Sequence, residues 1–508
     1  MKTQARAIGE VREHVSQPLP EPFVKVASPP STNSSRHSFR DPHGHVVITD
    51  NSVFRFVKKE CEAQVLNLLH SETYLRLLQD GLLVRTELGG EQELREELGS
   101  NGHYQDDSYM LLKHERIPFQ SYPYEWPPEM LYAAGQLTLD IMERLLPEGF
   151  GLKDASPYNV LFDERGPVFV DFLSIESRDR LDPTWLPYAQ FVRTFIRPLL
   201  VDKYFGIGLS QTLRIYREGL TPHDVLRMCS HLQKLRPPFL TLVTLPALLA
   251  KIRPVDNQTI YNRRRSCSPE EAHFILSHQL KGLRRKLNAV KPDPERKSPW
   301  TGYVDAQHHP PEYLALKQRF IERAITEENP RMVLDVGCNE GHFSSIAAAA
   351  NASTVAIDRD PAVAGRVWRK ASEKRLNILP LVVDLTRPTP GLGWRNSECR
   401  AFLERACGTF DCVLMLAVLH HILVSERIPL CEVMQLASEL TTNLLLIEYI
   451  PPTDPMFRLI TRGHDHLYES LNSAEFERIS QEYFVIERKE QLAPSERWLY
   501  QMRRARVA

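Results

Sequence analysis

Short apolar runs dominate the second half of the chain, and most of them end on an acid or a glycine. Met332–Val336 runs into Gly337-Cys-Asn-Glu-Gly341, Ser353–Ile357 is closed by Asp358, and Leu381-Val-Val by Asp384. Phe410–Leu416 and Leu444–Tyr449 follow, with spacers long enough for helices between them. Runs of this length separated by helical stretches predict buried parallel strands in an α/β sheet. Tyr483–Arg488 and Arg497–Met502 then predict a terminal antiparallel hairpin.

The first half has a different rhythm. Val46–Thr49 and Val53–Val57 predict two strands around an Asp-Asn turn, and a helical stretch follows from Cys61 to Gln79. Leu83–Thr86 and Tyr109–Glu115 predict further strands, and helical periodicity prevails from Glu129 onward. A small sheet followed by helices is an α+β pattern. Between the halves, Leu276, Leu280, Leu283 and Leu287 recur at helical spacing with a basic outer face. The expected division is a disordered tail over 1–40, an α+β domain over 41–253, a basic polar linker over 254–304 and an α/β domain over 305–508.

The turn at 337–341 is the most specific local signal. Gly337 and Gly341 supply positive φ and no Cβ, Asn339 tolerates the same left-handed region, and a following helix offers its N-terminus. Asp358, ending the next strand, suits the two ribose hydroxyls of an adenosine. NAD and S-adenosylmethionine both fit that description, but the turn lacks the G-x-G-x-x-G frame for a pyrophosphate. Asp335 at the strand end would also repel phosphate, which favours the sulfonium cofactor.

Taken in order, these pieces resemble the class I S-adenosylmethionine-dependent methyltransferases over roughly residues 305–508. The resemblance implies a Rossmann-like seven-stranded sheet and S-adenosyl-L-methionine as cofactor. It implies binding by Asp335, Gly337, Asn339, Gly341 and Asp358, with Asp384 facing the adenine amino group. After the fourth strand, His420 and His421 stand where ligands bind in open α/β sheets and are the candidate catalytic residues, one expected to face the acceptor and the other to cap the helix or pack against the cofactor. No Asn-Pro-Pro-Tyr follows that strand, so an oxygen or carbon acceptor is expected by elimination.

In the first half, Leu152-Lys-Asp-Ala-Ser-Pro-Tyr-Asn159 and Val168–Phe172 place Asp154, Asn159 and Asp171 at the spacing of a base, a metal-binding amide and a metal-binding carboxylate. The segment resembles protein kinases and aminoglycoside phosphotransferases. A glycine-rich phosphate loop is missing, and Lys58 and Lys113 are the only lysines to consider for the phosphate clamp. A degenerate kinase-like domain is therefore expected, with Asp154, Asn159 and Asp171 a vestigial phosphotransfer site. The two-part arrangement is similar to a bacterial group of methyltransferases that includes nodulation-type proteins. Ser121-Tyr-Pro-Tyr-Glu-Trp126 is read as an aromatic, acidic surface loop, more often a packing element than a binding box, that could mark a substrate groove.

Composition narrows the function classes. Lys plus Arg number 63 against 64 Asp plus Glu in 508 residues, so no global field recruits nucleic acid. The eight cysteines form no C-x-x-C pair, which suits a reducing cytoplasm, and no metal site is expected. His464 and His466 flank an acid without a third ligand. Phe239–Ala250, the longest apolar stretch, is too short to span a membrane and is broken by Pro246. The function expected is methyl transfer to an unidentified small molecule or glycan recognised with help from the first half. The alternatives are a bifunctional methyltransferase/phosphotransferase and a non-catalytic scaffold.

Overall fold

The computed structural model describes residues 40–49, 51–98, 109–252, 265–300 and 311–505. The expected tail, apart from Arg40, and parts of the expected linker lie outside the described residues.

In the first half, β1 (Gly44–Ile48), β2 (Val53–Lys58), β3 (Thr86–Leu88) and β4 (Tyr109–His114) form an antiparallel sheet in the order β1-β2-β4-β3. The predicted helix over 61–79 is two helices, α1 (Glu62–Leu69) and α2 (Glu72–Gln79). Ser71 makes the break, because its hydroxyl accepts from the Tyr74 amide and caps α2. The strand expected at 83–86 pairs further along, at Thr86–Leu88, while Leu83 bridges to Phe169.

Helix α3 (Pro128–Leu145) is the axis of the lower lobe, with most of its apolar residues buried. Two small antiparallel pairs follow: β5 (Phe150–Leu152) with β8 (Ile175–Ser177), and β6 (Val160–Asp163) with β7 (Gly166–Phe169). Further on come α4 (Leu245–Ile252) and α5 (Pro269–Ala289). Placing α5 in a linker does not match its packing. Leu276, Leu280, Leu283 and Leu287 are all buried, and Leu287 lies against Gly135 of α3, so the helix completes the lobe's core.

The second half opens with α6 (Pro311–Glu328) and builds a seven-stranded sheet from β9 (Met332–Val336), β10 (Ser353–Asp358), β11 (Ile378–Val382), β12 (Phe410–Met415), β13 (Thr441–Tyr449), β14 (Phe484–Gln491) and β15 (Trp498–Arg504). Strand order is β11-β10-β9-β12-β13-β15-β14, with the first five parallel and β15 antiparallel to both neighbours. This is the Rossmann-like sheet expected of the second half. Its order reverses between β9 and β12, which opens a crevice at their carboxyl ends.

The loop at 121–126 is not a surface loop. Tyr122, Tyr124, Glu125 and Trp126 are buried, and Glu125 is fully enclosed. Its Oε2 accepts from the Tyr122 amide, and its Oε1 accepts from Thr389 and Arg405 of the second half. The aromatic, acidic composition thus reflects a seam between the halves, where rings fill space and a carboxylate meets an arginine. Arg369 pairs with Glu129, Arg217 with Glu398, and Phe162 meets Trp368 edge-on at 5.1 Å. A cavity of about 620 Å³ lies at the same seam, lined among others by Tyr132 and Arg165 from one half and Trp368 and Arg369 from the other.

Candidate functional site

Elements α7 (His342–Ala349) and α8 (Pro361–Lys374) flank the crevice beside β9 and β10. Leaving β9, the chain turns through three left-handed residues, Gly337 (φ 69°), Asn339 (φ 48°) and Gly341 (φ 71°). The turn is tied to β10: the Gly337 and Cys338 amides both donate to the Ile357 carbonyl, at 2.9 and 3.0 Å. A Cβ on Gly337 would come within 3.2 Å of the Val418 side chain, and one on Gly341 within 3.0 Å of Val367. Both glycines therefore let the turn pack closely against Val418 and Val367, where a side chain would push these neighbours away.

Asp358 ends β10 half-buried. Its two oxygens accept from the Asn339 amide at 3.1 Å and the Asp360 amide at 2.9 Å. A carboxylate has about four lone-pair sites, so capacity for two further donors remains. Burial raises its pKa. Asp384 uses Oδ1 to accept from the amide and hydroxyl of Thr386, at 3.0 and 2.6 Å.

Asp335 is placed differently from its neighbours in the turn. It is buried, and its Oδ2 accepts from Ser344 Oγ at 2.5 Å, which pins α7 to the sheet. Burial pushes its pKa up to about 6 despite that hydrogen bond. The expected contact of Asp335 with a ligand's ammonium end thus competes with a structural bond already in place.

Opposite the turn, α9 (Leu419–Val424) carries the two histidines, with ring centroids 4.1 Å apart. His420 is buried, and its Nδ1 has no hydrogen-bond partner among the described residues. Burial, then the neighbouring His421, lowers its pKa to about 3, so it is neutral at physiological pH. His421 is also lowered, by burial and by Arg359.

Sequence reasoning missed two groups here. Trp300, from the segment before α6, accepts at its carbonyl from Asn339 Nδ2 at 3.2 Å. Its ring meets His421 edge-on at 5.5 Å, with the Arg359 guanidinium 5.7 Å from the ring centroid. One aromatic residue thus touches the glycine turn, the residue after Asp358 and the histidine pair. Nothing in its local pattern signals this, since its partners lie far away in sequence.

The second missed group is a buried polar network under α9. Glu448 Oε2 accepts from Lys317 Nζ at 2.6 Å, and Oε1 accepts from the Tyr313 hydroxyl. Arg497 grips Asp454 through Nε and NH2 at 2.7 and 3.0 Å, and donates to the Tyr313 hydroxyl at 3.1 Å. Burial would raise the Glu448 pKa, but Lys317 and Arg497 outweigh it and the carboxyl lies below its ordinary value. The visible signal was a glutamate closing the apolar run Leu444–Ile447.

The first-half trio is also brought together. Asn159 Nδ2 and Ser174 Oγ both donate to Asp154 Oδ1, the latter at 3.0 Å. Burial and then the nearby Asp171 raise the Asp154 pKa. The cation beside Asp171 is neither expected lysine: Lys58 lies near Glu60 and Lys113 near Glu93. Arg55 NH1 donates to Asp171 Oδ1 at 3.0 Å, from the middle of β2. An arginine embedded in Val53-Phe-Arg-Phe-Val57 was the signal available. Elsewhere, His43, Glu60 and Cys61 bring ligand-type atoms within 4.8 Å of one another, but the first two are exposed.

Residues 306–462 match the model of a methyltransferase domain family. With the strand order and the glycine turn, this makes the second half a methyltransferase domain of the S-adenosylmethionine-dependent class. Along nearly its whole length the chain is similar to the nodulation protein NoeA of Rhizobium meliloti (strain 1021): 27% identity over 483 residues, 94% of this chain and 98% of that protein. Among solved structures it is similar to the N-methyltransferase NodS from Bradyrhizobium japonicum WM9, at 13% identity and TM-score 0.29, over 38% of this chain and 97% of that one. The bifunctional kinase-methyltransferase WbdD is similar over 41% of this chain and 42% of that one, with 20% identity and TM-score 0.30. No helix among the described residues is long and apolar enough to cross a membrane.

Proposed function

We propose that the second half transfers a methyl group from S-adenosyl-L-methionine to a hydroxyl of a small molecule or glycan, and that the first half helps to recognise this acceptor. The left-handed turn through Gly337, Asn339 and Gly341 and the remaining acceptor capacity of Asp358 fit an adenosine cofactor. Asp384 lies at the end of the neighbouring strand, where it would face the adenine. Bound there, the cofactor supplies an electrophilic methyl group on a sulfonium.

His420 is the observation that carries the choice of acceptor. A neutral imidazole with an unpartnered nitrogen can accept a hydrogen bond from a hydroxyl and aim its oxygen at the methyl group; the lowered pKa suits the ring to orienting the acceptor, whose proton is shed to solvent after the oxygen is alkylated. Glu448, Arg497 and Asp454 all act electrostatically on this ring. Trp300 and His421 narrow the mouth and keep water from the reacting atoms. The buried Glu125 contacts, which fix the first half against the second, support a share for the first half in presenting the acceptor.

Calorimetry with S-adenosylmethionine and its demethylated product tests the cofactor reading: Asp358→Ala abolishes binding, and unchanged affinity would refute it. Methyl-labelled cofactor incubated with extracts identifies the acceptor, and His420→Ala then lowers kcat by about tenfold or more through the lost orienting hydrogen bond. Retention of full turnover in that variant excludes the orienting role.

Arg55 favours a second reading, in which the first half transfers or binds a phosphoryl group. An arginine beside Asp171 supplies a cation where the lysine clamp was missing. Nucleotide with magnesium should then raise the melting temperature, and Asp171→Asn should cancel the rise. An unchanged melting temperature in the unaltered protein removes this reading.

A further inference from the structure

The apolar stretch ending at Ala250 lies at the surface of the lower lobe and has an outward face that the proposed chemistry does not use. Residues 240–244 form one π-helical turn that continues directly into α4. On the inner side Leu242, Val243 and Ala247 are buried. On the outer side Leu245, Leu248 and Leu249, at the i, i+3, i+4 spacing of one helix face, are 45%, 47% and 59% exposed. The neighbouring turn over 233–235 adds Leu232 and Leu235, at 70% and 69%. A hydrogen bond from Thr244 Oγ1 to the Lys234 carbonyl, 2.7 Å, holds that turn against the start of α4. Five exposed leucines therefore sit on two tethered segments, where monomeric proteins seldom leave large apolar groups together.

Charge around this face is one-sided. From Val225 to Ile252 the sequence contains no Asp or Glu, while it carries Arg227, Lys234, Arg236 and Lys251. Neither Lys234 nor Arg236 forms an ion pair with a described residue. This stretch of sequence thus supplies none of the acidic side chains that pair cations across much of the protein. The apolar stretch is too short to span a bilayer, yet apolar side chains rimmed by unpaired cations match the boundary between acyl chains and anionic headgroups.

We propose that the leucine face of residues 232–249 docks this protein on an anionic lipid surface. The leucines enter the acyl boundary, and Lys234 and Arg236 meet the headgroups. A second copy of the chain docked through the same stretch would bring Lys234 and Arg236 against residues that include no Asp or Glu.

Co-sedimentation of the full chain with vesicles tests this. Binding to phosphatidylcholine doped with phosphatidylglycerol should be about tenfold or more tighter than to phosphatidylcholine alone, and high salt should weaken it. Leu245→Glu with Leu249→Glu should abolish binding, Lys234→Glu with Arg236→Glu should erase the preference for phosphatidylglycerol, and Leu75→Glu, at an exposed leucine elsewhere, should change neither. Thermal melting and cofactor binding check that each variant folds. If the double-glutamate variant misfolds, Leu248→Trp supplies the test, since its fluorescence should be quenched by brominated lipid. The proposal is overturned if the unaltered chain stays in the supernatant, binds both vesicle types equally, or binds them undiminished after the leucine substitutions. It is equally overturned if those substitutions only turn a dimer into a monomer.

Discussion

Removing the cation from Lys317 in Lys317→Met isolates the worth of the buried network beneath the histidines. Lys317 and Glu448 side chains are 7% and 0% exposed with a 2.6 Å contact, so neither charge is relieved by water. Breaking such a pair from one side costs about 3–5 kcal/mol, because the surviving charge stays buried without compensation. Here the Tyr313 hydroxyl still donates to Glu448 and Arg497 remains 3.7 Å away, which places the loss at the low end, about 3 kcal/mol. Combining it with Glu448→Gln should recover more than half of that loss, since an amide can keep the Tyr313 bond without an uncompensated charge. Hydrogen exchange of the β13 amides along a urea series reads this locally: protection should fall by about two orders of magnitude in the single variant and much less in the double. A loss below about 1 kcal/mol, the level of a surface pair, would refute the reasoning, as would additive losses in the double variant.

The remaining expectations concern pH, the turn and its cover. His420 has its pKa lowered from 6.5 to about 3 by burial, so its contribution to stability is complete above pH 6.5 and is lost as pH falls from there toward 3. Urea titrations of the native protein and His420→Gln should therefore show the native losing more stability over that window; parallel curves would contradict the assignment. Gly337→Ala combines a φ of 69° with a Cβ 3.2 Å from Val418, and should cost about 1–2 kcal/mol as well as weaken cofactor binding in calorimetry. Trp300→Ala should weaken cofactor binding with little change in melting temperature, because the ring covers the crevice mouth rather than the core; unaltered affinity would remove it from the site.

How much of this was legible depended on how far apart in sequence the interacting groups lie. The parallel strands, the left-handed turn and the acids at 358 and 384 are local patterns, and each lies where its run of residues implied. Val418, Trp300 and the Lys317–Glu448–Arg497 network are contacts between distant segments, which periodicity does not record. Buried charge is hidden from sequence twice. The acid of the aromatic Glu125 loop implies surface because its arginine partner lies in the other half, and an arginine inside the apolar strand at Arg55 carries no local sign of the carboxylate it meets. Leucine spacing identified α5 correctly, but it could not tell that the partner of the apolar face was α3 rather than solvent-bridging linker.

The seam at Glu125 sets an order of events during synthesis. One oxygen of that carboxylate finds its partners only on Thr389 and on Arg405, which follows 280 residues later. At ~5–20 residues per second, the first half leaves the ribosome on the order of tens of seconds before its enclosed charge can be matched. During that interval Glu125 must stay hydrated, so the loop around Tyr122 and Trp126 cannot close in its final form. The Glu125 loop thus closes last in the first half, once the methyltransferase sheet has been made.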